Sequence, residues 1–195
     1  MKQLRTATHP GLHTLPQMWE HRGFRILVQV LLVVGFSALA ALGKAIHPSQ
    51  GIPGSSSIYW LGPMILGAAT MRWRGAGTMT GLGMGFFSVP FGLEHTMGYN
   101  LMLYGSTGVL IDIISHLPKM NIRNPITAII TGLGAHLSKF AFIMGAAAVS
   151  PVIKHFELIG VLNSLGLHIA FGIVAGFFGW AVFRLGQGAG KKLLK

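Results

Sequence analysis

Cysteine is absent from the 195 residues, and acidic side chains number only four. A chain without cysteine forms no disulfide, thiolate metal centre or iron–sulfur cluster and has no cysteine nucleophile. Charged residues make up 10%, against roughly 25% in soluble globular domains, so a water-soluble chain of this size could not cover its surface. No GxxxxGK[ST] phosphate loop, GxSxG elbow or HExxH pair occurs, which argues against a P-loop ATPase and the commonest hydrolase chemistries.

What remains is apolar, small and basic: 51% hydrophobic residues, 28 glycines and 15 Lys+Arg, for a formal net charge of +11. In a soluble protein that balance would point to nucleic acid. In a membrane protein it is the Lys/Arg excess of cytoplasmic loops, and we read it so, with no nucleic-acid partner. Six spans of about 20 residues each fit this length with short connections.

Residues 1–23 are polar, with two prolines and three histidines, and read as a cytoplasmic tail rather than a signal peptide. Apolar runs at 24–45, 58–71, 76–91, 99–117, 125–149 and 158–185 predict six helices within a membrane domain over 24–186, and 187–195 reads as a basic cytoplasmic tail. The fold class is all-α, a six-span bundle with both termini cytoplasmic. With the N-terminus inside, the inner side receives Lys2, Arg5, Arg22, Arg25, Arg72, Arg74, Lys119, Arg123, Arg184, Lys191, Lys192 and Lys195. The outer side receives Lys44 and Lys154, and Lys139 falls within the fifth span. Such asymmetry is the positive-inside pattern and favours an even number of spans.

On this topology the polar residues of the outer half converge on one outward-opening cavity. The candidate lining is Trp60, Glu94, His95, Asn100, Tyr104, His136, Lys139, Asn163 and His168. Lys139 carries most information: a lysine near mid-membrane costs about 2.5–3.5 kcal/mol on insertion scales, so it needs a partner or water. His136 lies three residues earlier, on the same helical face. Lys139 is read as meeting an anionic or carbonyl group of a ligand; the competing readings are an ion pair with Glu94 or Asp112, or snorkelling. His168 is either a ligand contact or an interhelical hydrogen-bonding residue. Trp60 beside Tyr59 suits stacking on a flat ligand or anchoring in the aromatic belt. Asp112 and His116, spaced i, i+4, predict a local pair.

Nine histidines raise transition-metal binding, but no HxH or HxxxH pair lies within a span. A cobalt or nickel permease therefore stays an alternative to an organic ligand, and an intramembrane enzyme a weaker one. No catalytic residue, metal ligand or cofactor is assigned.

The layout resembles the S components, the substrate-binding membrane subunits of energy-coupling factor (ECF) type ABC transporters. The resemblance rests on chain length, six spans with both ends inside and a long first outer loop. It rests also on the segment IYWLGPMILGAATMRWRGAGTMTGLGMGF, where an aromatic helix turns at RWRGAG into a glycine-rich one, and on LYGSTGVLIDII. It implies a plasma-membrane protein that is not itself an enzyme and captures a vitamin or vitamin-precursor-like nutrient. It implies the first outer loop as lid, with residues from spans four to six in the site. As partners it implies a transmembrane coupling subunit and two cytoplasmic ATPases. The small-residue row Ser37, Ala41, Ala45 lies toward the outer end, unlike the family's AxxxA docking row, and the opening MKQLRT lacks the histidine motif of metal-transporting relatives.

Overall fold

The computed structural model describes residues 21–47, 52–71, 73–93, 96–149 and 158–193. Among them all regular structure is helical: α1 (Arg22–Ile46), α2 (Ser57–Thr70), α3 (Ala76–Phe87), α4 (Met97–His116), α5 (Pro125–Val149) and α6 (Leu158–Leu193). Two compact units are present, residues 1–31 and 32–195. The described part of the first is the beginning of α1. The second holds the rest of α1, the other five helices and the buried core.

The helix ends follow local chemistry. Thr96 caps α4 by accepting from the Tyr99 N–H, and Asn124 does the same for Ile126 at 2.9 Å, just before Pro125 at a position where a missing N–H costs nothing. Two ends differ from the hydropathy reading. Helix α3 stops at Phe87, not 91, because Pro90 disfavours helical backbone before it. Helix α6 continues to Leu193 through the stretch read as a tail: its glycines weaken a helix without breaking it, and Lys191 and Lys192 suit a helix C-terminus.

Three helices are long and apolar enough to cross a membrane, over Arg22–Ile46, Pro125–Ala148 and Gly160–Ala189. The burial pattern agrees with a bilayer as solvent. Met102, Ile126 and Leu185 are exposed while Asn100, Thr107, Thr131, His136 and Lys139 are buried, the reverse of the soluble-protein preference. By length and composition this is a membrane protein. The remaining helices are shorter, and the 14 residues of α2 extend only about 21 Å at 1.5 Å per residue.

Close backbone approach at small residues sets the packing. Along α3, Gly77, Gly81 and Gly85 meet the carbonyls of Gly108, Tyr104 and Asn100 on antiparallel α4, one step of four residues at a time. A Cβ at Gly77 or Gly85 would stand 2.8 Å from the facing oxygen, so larger residues would force the helices apart. A second row joins α5 to α6. A Cβ at Gly176 would run into the Ala128 carbonyl and one at Gly132 into that of Gly172. The next step along this row pairs His136 with His168. The tight contact ends there, and a polar space opens.

At the opposite end of the molecule the RWRGAG corner has a specific cause. Gly75 precedes α3 with φ 96° and offers no side chain to cap it. The Asp112 carboxylate, reaching from α4, accepts from the N–H groups of Gly77 at 2.8 Å and Thr78 at 2.7 Å and from the Thr78 hydroxyl at 2.6 Å. A carboxylate at a helix N-terminus satisfies orphan donors and opposes the positive end of the helix dipole. The expected Asp112–His116 pair accordingly involves the Asp112 backbone: the carbonyl accepts from His116 Nδ1 at 2.8 Å.

Candidate functional site

A cavity of about 370 Å³ lies where α1 ends, α2 begins and the later halves of α5 and the earlier part of α6 pass. Its polar lining comes chiefly from Lys44, Trp60, His136, Lys139 and His168, and the segment Pro53–Ser56 closes one side. In size it stands at the lower end of small-molecule pockets.

The two histidines form its most ordered part. His136 Nδ1 lies 2.9 Å from the His168 carbonyl oxygen, and His168 Nδ1 lies 2.8 Å from that of Ser164. The rings stack with centroids 4.6 Å apart and planes inclined by 29°. Close helix packing brings them together: a Cβ on Gly172 would stand 3.1 Å from His136 Cβ. Gly54, at φ +82°, brings the loop against the same ring, and a Cβ there would meet His136 Cε1 at 2.9 Å.

Trp60 and Tyr104 are fully buried and stand edge to face at 5.5 Å. Trp60 also meets His136 edge-on at 5.9 Å. Lys139 Nζ sits 4.8 Å from the Trp60 ring centre and 5.2 Å from that of Tyr104, a cation–π arrangement strengthened by exclusion of water. Trp60 is therefore a pedestal for a lysine rather than an open stacking platform. Lys44 Nζ donates to Tyr104 Oη at 2.5 Å, so two ammonium groups are organised about one phenol.

Of the residues expected from sequence, Trp60, His136, Lys139 and His168 line the cavity, with Tyr104 packed against its aromatic wall. Asn100 is buried and acts on the wall: its Nδ2 donates to the carbonyl of Leu93, a lining residue, at 2.8 Å. Its Oδ1 has no hydrogen-bond partner among the described residues. Asn163 is exposed and outside the lining; five positions before His168, it points about 140° away at 100° per residue. Glu94 and His95, which follow Leu93 in the chain, lie outside the described residues. Asp112, one ion-pair partner considered for Lys139, is committed to the α3 N-terminus.

Lys44 was legible only as a loop charge on the outer side, yet it belongs to the cavity. Its signal was position: a lysine one turn inside the end of an apolar helix, where its stem can run along the bundle and its head can turn inward. Two other spaces are present. One, of about 340 Å³, lies beside Asp112, His116 and Arg123 at the opposite ends of the helices. The other is an apolar groove of about 360 Å³ among α1, α2 and α6. Among the described residues no three His, Asp or Glu side chains gather as metal ligands.

No protein-family model matches the chain, and neither a curated protein nor a solved structure matches it.

Proposed function

We propose that this protein is a six-span subunit of the plasma membrane, with both termini cytoplasmic, that captures a small polar organic nutrient in the cavity of Lys44, His136, Lys139 and His168. The carrying observation is that side chains from α1, α5 and α6, all costly to bury in a membrane, meet in one space of ligand size. The loop charges support an outward mouth, since this end of the molecule carries few lysines and arginines and the Asp112 end carries many.

In this reading the protein does no chemistry on its ligand. Lys139 and Lys44 supply hydrogen-bond donors and positive charge, the histidines orient the ligand, and the segment over Gly54 covers it. The resemblance to S components supplies the rest: the cargo is vitamin-like, and a separate coupling subunit with two ATPases powers its release inward. Two ammonium groups facing one cavity weigh against a divalent cation as cargo, because like charges repel strongly where water is scarce.

The test is purification from native membranes, extraction, and mass spectrometry of the released small molecules with parallel metal analysis. One organic compound at near-stoichiometric amount, rebinding to the emptied protein, is expected. Stoichiometric cobalt or nickel without an organic compound would overturn the reading, as would a preparation that retains and rebinds nothing.

A further inference from the structure

The hydrogen-bonding inventory of the cavity narrows the ligand further, if the cavity is the capture site just proposed. A carbonyl oxygen has no hydrogen to give, so a ring nitrogen that bonds to it must carry the hydrogen. His136 Nδ1 faces the His168 carbonyl and His168 Nδ1 faces the Ser164 carbonyl. Both neutral rings are thereby fixed with hydrogen on Nδ1 and a lone pair on Nε2. Neither Nε2 has a hydrogen-bond partner among the described residues, and both rings line the cavity. The Ser164 hydroxyl, 3.4 Å from His168, is at Nδ1 and leaves Nε2 untouched.

We infer that the ligand is a small organic molecule with at least two polar hydrogens, N–H or O–H, for the Nε2 atoms of His136 and His168, and a carbonyl or carboxylate for Lys139. The backbone carbonyls fix the two acceptors, and the aromatic pair Trp60 and Tyr104 fixes the ammonium. A ligand made only of acceptors, such as a fully ionised inorganic anion, would suit the lysines and leave both histidines unmatched. A bare metal ion would suit the histidines and oppose the lysines. Unmatched buried polar groups are what give such sites their discrimination.

Orotate and 1,3-dimethylorotate form a matched probe pair: both are planar carboxylates with two carbonyls, but only orotate carries two ring N–H groups. Binding to the purified full-length protein in nanodiscs is read by ligand-observed NMR, with nickel(II) in parallel. Orotate is expected to bind about tenfold or more tightly than its dimethyl form, as two hydrogen bonds allow. That ratio should shrink toward one in His136→Phe and in His168→Phe, whereas Lys139→Met should weaken both probes alike. In the unsubstituted protein, 15N-histidine spectra should place hydrogen on Nδ1 of both rings and move both Nε2 signals with orotate alone. Hydrogen on Nε2, equal binding of the two probes, or tight nickel binding through the two rings overturns the inference. So does failure of both probes to bind at millimolar concentration. The reading of the cavity as a capture site stands or falls separately, with the co-purified compound.

Discussion

Lys139 holds its ammonium 4.8 Å from the centre of the Trp60 ring, on an indole that is itself fully buried. The aromatic face stabilises the charge while leaving its N–H groups available to a ligand acceptor. Lys139→Met keeps the length and removes the charge. It should weaken binding of the co-purified compound by about ten- to a hundredfold, the range of one charge-assisted hydrogen bond. Unchanged affinity in equilibrium dialysis would remove Lys139 from the site. Lys139→Arg, with a wider planar head, should not restore full affinity.

The loop contact at Gly54 gives a variant that separates binding from folding. At φ +82°, with a Cβ position 2.9 Å from His136 Cε1, Gly54→Val is strained in its backbone and presses on the ring. The loop should lift away from the histidines. Affinity should drop about tenfold or more, the size expected when about 1–3 kcal/mol of strain is introduced, with thermal stability in detergent nearly unchanged. A large stability loss with intact affinity would show that the loop does not cover the ligand.

Asp112 holds three donors at the start of α3, far along α4 from the cavity. Asp112→Ala leaves two buried backbone N–H groups without their acceptor and should destabilise the protein by about 1–3 kcal/mol per unmatched group. Asp112→Asn keeps one oxygen and should cost less. Both should leave ligand affinity intact once the folded fraction is accounted for in denaturant titrations. A selective loss of binding would instead tie this end of the molecule to ligand capture.

Hydropathy placed all six helices, because in a mostly apolar chain the Gly/Pro/Ser and Arg/Lys stretches are the only interruptions; 125–149 agrees residue for residue with α5. The ends it misjudged were those decided by Pro90 and by the tolerance of helices for exposed glycine. The polar half of the cavity was legible because intramembrane His136, Lys139 and His168 had no cheaper place to be. Lys44 was not, because charge counting assigns a side of the membrane and not a direction for the side chain. Asn163 failed for the complementary reason: its depth is right, but its helical face is set by packing at Gly172 and Gly176. The role of Asp112 as a cap for another helix required knowing that α3 and α4 touch, which spacing within one helix does not show.

The α5–α6 row offers a packing test with an internal control. A side chain at Gly176 would meet the Ala128 carbonyl and stand 2.8 Å from Ile129 Cα. Gly176→Val should destabilise by about 1–3 kcal/mol, as overpacking does. It should also weaken ligand binding, because His136 and His168 lie two steps along the same row. Gly145 has nothing within 4 Å of its Cβ position, so Gly145→Ala should be neutral or stabilise by up to about 1 kcal/mol. If both behave alike in detergent unfolding, close backbone approach is not what holds these helices together.

The absence of cysteine makes the topology directly measurable, since any introduced thiol is the sole label site. Ser55→Cys lies in the segment over the cavity, and Asn121→Cys lies between α4 and α5 near Arg123. With the cavity facing outward, a membrane-impermeant maleimide should label Ser55→Cys in intact cells and Asn121→Cys only after lysis. The reverse pattern would invert the protein in the bilayer and place the cavity on the cytoplasmic side. Labelling of both in intact cells would require an odd number of crossings between residues 55 and 121 to be replaced by an even one, and the six-span arrangement would fail. Added ligand should slow labelling at Ser55→Cys and leave Asn121→Cys in lysates unaffected, which joins the orientation of the chain to the site it serves.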